Sequence, residues 1–167
     1  MNNKERVESS AFTSKYTGRS NRLVNRVKII SDDKEIEVDA LWDTGATHTH
    51  ISKQVASDLG LIPTGIRKIH TPTGTGDSNT YLVSVMLPNN VKIEGVSVGD
   101  SEIGEQGLGM LIGMDIIGMG DFAVSSFNGN TTFSFRYPSL HTIDFASEMR
   151  IKSAIGKKKA YNPPRKH

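Results

Sequence analysis

Between residues 36 and 42 apolar and polar side chains alternate almost one for one: Ile36, Val38, Ala40 and Trp42 against Glu37, Asp39 and Leu41. A period of two belongs to a strand with one face on a core and the other mostly in water. Similar segments recur between turn signals. Leu23, Val24, Val27, Ile29 and Ile30 form a largely β-branched run closed by Ser31-Asp32-Asp33. Tyr81 to Leu87 precedes the turn Pro88-Asn89-Asn90. Val91, Ile93, Val96 and Val98 follow, with Gly95 shifting the alternation and predicting a bulge. Leu108 to Gly113 reads as a short buried strand, and Phe122 to Ser126 with Thr131 to Tyr137 as a hairpin about Asn128-Gly129. Helices are few. Ser52 caps Lys53 to Leu59, whose inner face is Val55, Ala56 and Leu59 and whose stop is Gly60. A single turn from Ile116 to Met119 is expected behind Asp115 as its cap. So many short strands with so little helix predict a compact all-β sandwich or barrel.

The 167 residues leave room for one domain and little more. Cysteine is absent, which excludes disulfides, thiolate zinc sites and a cysteine nucleophile. No apolar run approaches the ~18–20 residues that span a bilayer. Met1 to Ser20 lacks the apolar centre of a signal peptide. A soluble, cytoplasmic protein without a membrane partner is expected. The net charge of +2 conceals a division: residues 150–167 hold seven basic side chains and no acidic one, and the rest hold thirteen basic against eighteen acidic. An acidic body does not suit a whole-surface nucleic-acid binder; only the tail, with Lys157-Lys158-Lys159, could touch one, and it reads first as a solvated end. Residues 1–21 are polar, without an apolar period, and are read as a flexible arm. Beyond Pro138 the regular pattern stops, giving a C-terminal extension over 138–167 in which Ile143 and Phe145 could dock on the body.

The strand over 36–42 runs straight into Asp43-Thr44-Gly45-Ala46. A Gly-rich hairpin tip, Thr71 to Asp77, lies downstream, and Leu111-Ile112-Gly113 ends seventy residues after Asp43. This ordered set, closed by a short helix and a last hairpin, resembles the retropepsin-like aspartic proteases over about residues 22–137. The run Leu111-Ile112-Gly113-Met114-Asp115 is more similar to bacterial and phage members than to retroviral ones. The resemblance implies a small closed acid-protease barrel with one or two short helices, working as a homodimer on peptide or protein substrates without a cofactor. It implies Asp43 as the catalytic carboxylate of each subunit and Thr44 as a link between the two loops. Gly45 would let backbone approach closely, its carbonyl accepting from substrate, with Ala46 completing the loop. A flap including Thr71, Pro72, Thr73 and Gly74 would close over a peptide beside His48, and Leu111, Ile112 and Gly113 would support the loop.

The residue types suit that chemistry. Two carboxyls about 3 Å apart cannot both ionise, so they share a proton, one activating water and the other donating to the scissile carbonyl. The chain has a single Asp-Thr-Gly, so the partner carboxylate is expected from an identical subunit across a two-fold axis. The chain departs from the retroviral pattern at Thr47 and His48, where an acidic pair is usual, and at Met114, which removes a family salt bridge. Trp42 is read as a core or pocket-wall aromatic. Two alternatives stand beside the protease reading. One is a non-catalytic peptide- or partner-binding module. The other is a metal-dependent hydrolase using Asp43, His48 and His50, because His-x-His sets two imidazoles on one side of a strand.

Overall fold

The structure is a computed structural model and describes residues 10–71 and 74–160. Its strands are β1 Ser10–Lys15, β2 Val24–Ser31, β3 Lys34–Trp42, β4 His50–Ser52 and β5 Gly65–Thr71. β6 Gly74–Met86, β7 Lys92–Ser101, β8 Met110–Ile112, β9 Asp121–Ser125 and β10 Thr132–Tyr137 follow. The helices are α1 Lys53–Leu59, α2 Met114–Ile117 and α3 Phe145–Ala160. Seven strands lie in the order β2-β3-β8-β4-β7-β6-β5, and β2 also pairs with β6, from Lys28 opposite Met86 to Ile30 opposite Ser84. That last pairing closes six strands into a barrel and leaves β5 outside as one arm of a hairpin on β6. The all-β barrel expected from the sequence is therefore present.

Alternation fixes the barrel's register. Val38, Ala40 and Trp42 of β3 are buried, while Glu35, Glu37 and Asp39 face outward against Lys28 and Arg26 of β2. Exposed ion pairs of this kind contribute ~0–1 kcal/mol, so apolar burial decides; a slip by one residue would turn the apolar set into water. The Gly95 bulge is present: Val83 opposes Val96, but Val85 opposes Ile93, and Gly95 has φ 67°. α1 is bounded as read, with the Ser52 side chain accepting from the Val55 N–H and Gly60 left-handed after the last turn. At the β9–β10 hairpin Asn128 and Gly129 both have positive φ, 51° and 77°, as an Asn-Gly turn requires.

β1, β10 and β9 form a second, three-stranded sheet. Phe133 and Phe135 of β10 and Phe122 of β9 pack on Trp42, with ring centroids 4.8–6.1 Å apart. The expectation of a flexible arm over 1–21 does not hold for Ser10–Lys15. β1 pairs with β10 over six residues, and Phe12 meets Phe133 edge-on at 5.6 Å. Serines and threonines fill half of β1, so its own pattern is weak, and the aromatic partners lie more than a hundred residues away.

The one or two short helices expected in the barrel are α1 and α2, but the expectation that regular pattern stops beyond Pro138 is corrected, because α3 in the extension is 16 residues long. Asp144 precedes α3 and accepts from the Ser147 N–H at 3.0 Å, as capping residues do. Residues such as Ala, Glu, Met and Lys then favour helix by intrinsic propensity. Phe145, Met149 and Ile151 remain exposed, so over residues 145–153 no apolar stripe lies on the body for periodicity to reveal, and Phe145 does not dock. Among the described residues no helix is long and apolar enough to cross a membrane.

Candidate active site

β3 ends at Trp42, and the next residue, Asp43, continues its pairing with β8 by donating its N–H to the Ile112 carbonyl at 2.9 Å. β8 lies between β3 and β4, parallel to the first and antiparallel to the second. The loop 43–49 therefore crosses over the end of β8. Asp43 is half-buried, and its Oδ1 accepts the Gly45 N–H at 2.8 Å; the Ala46 N–H closes the turn on the Asp43 carbonyl. One carboxylate oxygen is thus held by backbone, and the orientation of the group is set before any ligand arrives. Thr44 is exposed, and its hydroxyl has no partner among the described residues. Leu111 is half-buried and Ile112 fully buried beneath the loop.

Gly113 shows why glycine follows the two apolar residues. A Cβ there would meet the His48 carbonyl carbon and oxygen at 2.6 Å and the Ala46 oxygen at 3.0 Å. The Gly113 N–H donates to Thr49 Oγ1, and the Met114 N–H to the Ala46 carbonyl. Asp115 does not cap α2 as expected; Gly113 occupies the cap position. The Asp115 carboxylate instead reaches back and accepts from the Thr49 N–H at 2.8 Å and the Thr49 hydroxyl at 2.6 Å. Thr49 is fully buried. Asp115→Ala should leave both Thr49 donors without an acceptor and lower stability by about 1–3 kcal/mol. Denaturant unfolding measures the loss, and faster amide exchange across residues 43–49 would locate it in this loop.

The hairpin β5–β6 has Thr71 opposite Gly74, and Gly74 takes φ 139°, which glycine adopts most readily. Strand pairing therefore continues into the Gly-rich tip segment Thr71 to Asp77, reaching Thr71 on one side and resuming at Gly74 on the other. Pro72 and Thr73 lie outside the described residues. At the hairpin's base the buried carboxylate of Asp100, on β7, accepts from the Asn79 N–H and side-chain amide, both at 2.9 Å, and from the Tyr81 hydroxyl at 3.1 Å. Ser78 Oγ donates to the Asp100 carbonyl at 2.8 Å. Burial alone would raise the Asp100 carboxyl, but the hydrogen bonds from Asn79 and Tyr81 hold it below its ordinary value. A lowered folded pKa gives stability that is full above the unfolded value and lost as pH falls through the folded one. Stability should thus decline on acidification below about pH 4. Asp121, lowered to about 2 by bonds from Ser139, Leu140 and Arg136, acts in the same direction. Asp100→Asn isolates one contribution: unfolding followed against pH should give a shallower acid limb and a less stable protein at neutrality.

An open cleft of about 530 Å³ adjoins the Asp43 loop, lined by residues 45–48, His50, Arg67 and Lys68. His48 is exposed, its Nδ1 3.9 Å from Asp115. His50 is half-buried, and burial pushes its imidazole below the ordinary histidine value. Its ring occupies the space a Cβ on Gly99 would take, 2.7 Å from that position. Among the described residues no three His, Asp or Glu side chains are gathered to hold a metal, and that includes Asp43, His48 and His50. Sequence reasoning missed Thr49, Asp115's real role, Asp100 and Arg67.

The family model of gag-polyprotein aspartyl proteases matches residues 29–119. The fold is similar to the crystal structure of a retropepsin-like aspartic protease from Rickettsia conorii, with TM-score 0.53 and 14% identity over 79% of this chain and 98% of that one. The solution structure of Simian Foamy Virus (mac) protease matches with TM-score 0.43 and 21% identity, over 57% and 92% of the two chains. The retroviral protease-like domain of Ddi1 from Leishmania major matches with TM-score 0.39 and 17% identity, over 66% and 93%. No curated protein matches the sequence.

Proposed function

Since the chain belongs to the gag-polyprotein aspartyl protease family, we propose that it is an aspartic endopeptidase whose site is completed by a second copy of itself. The observation that carries this reading is Asp43, fixed at the end of β3 with Oδ1 on the Gly45 N–H, in a chain with one Asp-Thr-Gly. The two Asp43 carboxyls, brought together by a two-fold axis, share a proton. The ionised one takes a proton from water as its oxygen attacks the scissile carbonyl carbon. The protonated one donates to the carbonyl oxygen, giving a tetrahedral intermediate. Its collapse breaks the C–N bond: one hydroxyl of the intermediate returns its proton to the ionised carboxylate, and the departing nitrogen receives the proton held by the other, so the pair again shares one proton.

The exposed Thr44 hydroxyl, without a partner among the described residues, fits a contact between the two loops across the axis. The β5–β6 hairpin serves as the flap, adding a strand's worth of backbone hydrogen bonds to an extended peptide. The catalytic unit is residues 22–137, to which Ser10–Lys15 adds an edge strand. The test is digestion of a diverse peptide library from mildly acidic to neutral pH. Internal cleavage that resists a metal chelator supports the proposal. Chelator-sensitive cleavage favours the metal-dependent alternative, and no cleavage of any member favours a peptide-binding module.

A further inference from the structure

We propose that the cleft beside Asp43 selects peptides carrying an acidic side chain near the scissile bond, and that Arg67 reads that acid. The inference rests on the endopeptidase reading of the same site. The cleft begins at Gly45 and Ala46, two and three positions past Asp43, and its other wall is β5 of the flap hairpin. An extended peptide laid across Asp43 therefore directs a side chain into it, because alternate side chains of an added strand point to one wall.

The charge of that wall has one sign. No acidic residue lines the cleft, and neither Arg67 nor Lys68 has an ion pair among the described residues. Across the hairpin Lys68 stands opposite Asp77, whereas Arg67 stands opposite Ser78 and faces no acid there. Two further carboxylates nearby are occupied. Asp115 accepts from Thr49 and from the Ile116 N–H, and Asp100 accepts from Asn79 and Tyr81. Burial keeps His50 uncharged at neutral pH, so the fixed positive charge belongs to Arg67 and Lys68.

Hydrogen bonding singles out Arg67. Its Nη1 is buried without a partner among the described residues, as is His50 Nδ1, and Nη2 makes only a long 3.4 Å contact to Ser97 Oγ. A buried guanidinium N–H without an acceptor is costly, and a carboxylate offers two oxygens in the geometry the guanidinium fork fits. An amide or apolar side chain of similar size offers one oxygen or none, and no charge.

The experiment uses paired peptides identical except for Glu or Gln, placed in turn at each of about four positions on either side of the cleaved bond. kcat/KM is measured with the full chain, and Kd for the same peptides with Asp43→Asn, which reads binding without turnover. At one position Glu should exceed Gln by about tenfold in both, and the ratio should shrink at high salt. Arg67→Gln should bring the ratio to near one, and Arg67→Glu should turn the preference at that position to Lys. If either variant fails to fold, the wild-type ratio decides. Cleavage with equal handling of Glu and Gln at every position overturns the acidic cleft and leaves the endopeptidase standing. Preferential binding of Glu peptides without any cleavage supports the cleft and overturns the endopeptidase. A Glu preference that survives both Arg67 variants overturns the role given to Arg67.

Discussion

Asp43→Asn is expected to lower peptide cleavage by about 10³-fold or more while leaving the fold unchanged. Asn has nearly the shape of Asp, and its side-chain oxygen can still accept the Gly45 N–H that closes the loop's turn. What it loses is the proton chemistry: an amide neither takes a proton from water nor shares one with its partner carboxyl. The loss should therefore fall on kcat, with KM for a good peptide little changed, because backbone and cleft contacts remain. Steady-state kinetics beside thermal unfolding separates this from misfolding. Cleavage at the wild-type rate would mean that the chemistry resides elsewhere.

Trp42→Ala should produce the largest loss of stability, about 3–5 kcal/mol, out of the roughly 5–15 kcal/mol that holds a typical domain folded. Trp42 is 5% exposed and lies at the junction of the barrel and the three-stranded sheet, against Phe12, Phe122, Phe133 and Phe135. Its indole N–H donates to Asn25 Oδ1 at 3.0 Å, and Asn25 Nδ2 donates to Ser14 Oγ at 2.7 Å, so one side chain joins β3, β2 and β1. The alanine variant opens a void between the two sheets and frees the strand end that carries Asp43. Trp42→Phe should cost less, retaining aromatic contact but leaving Asn25 Oδ1 without its donor. Denaturant unfolding of the two variants gives the order; an alanine variant within 1 kcal/mol of wild type would contradict the packing described.

What was legible in the sequence was mostly local. The alternation over 36–42, the Ser52 and Gly60 caps, the Gly95 bulge and the Asn128-Gly129 turn each depend on neighbouring residues, and each is found where it was read. The Asp43 loop was legible because its motif is contiguous. Contacts between distant residues were not. Asp115 looks like a helix cap in one dimension, and only the crossing of loop 43–49 over β8 brings it to Thr49, 66 positions away. Asp100 and Asn79 meet across 21 positions through strand pairing. β1 went unrecognised because its burial comes from the distant Phe133, and α3 because Phe145, Met149 and Ile151 in its described part stay exposed rather than forming a buried stripe. Arg67 gave no signal either, since an isolated arginine on a strand reads as solvated until the cleft around it is seen.

The central claim is that two chains make one site, and mixing tests it most directly. Wild-type chain and Asp43→Asn chain, combined one to one and allowed to exchange subunits fully, should assort at random. About a quarter of the dimers then carry two aspartates, and activity per total protein should settle near a quarter of the pure wild-type value. If each chain held a complete site of its own, activity would stay near one half at every extent of exchange, and the account would be wrong.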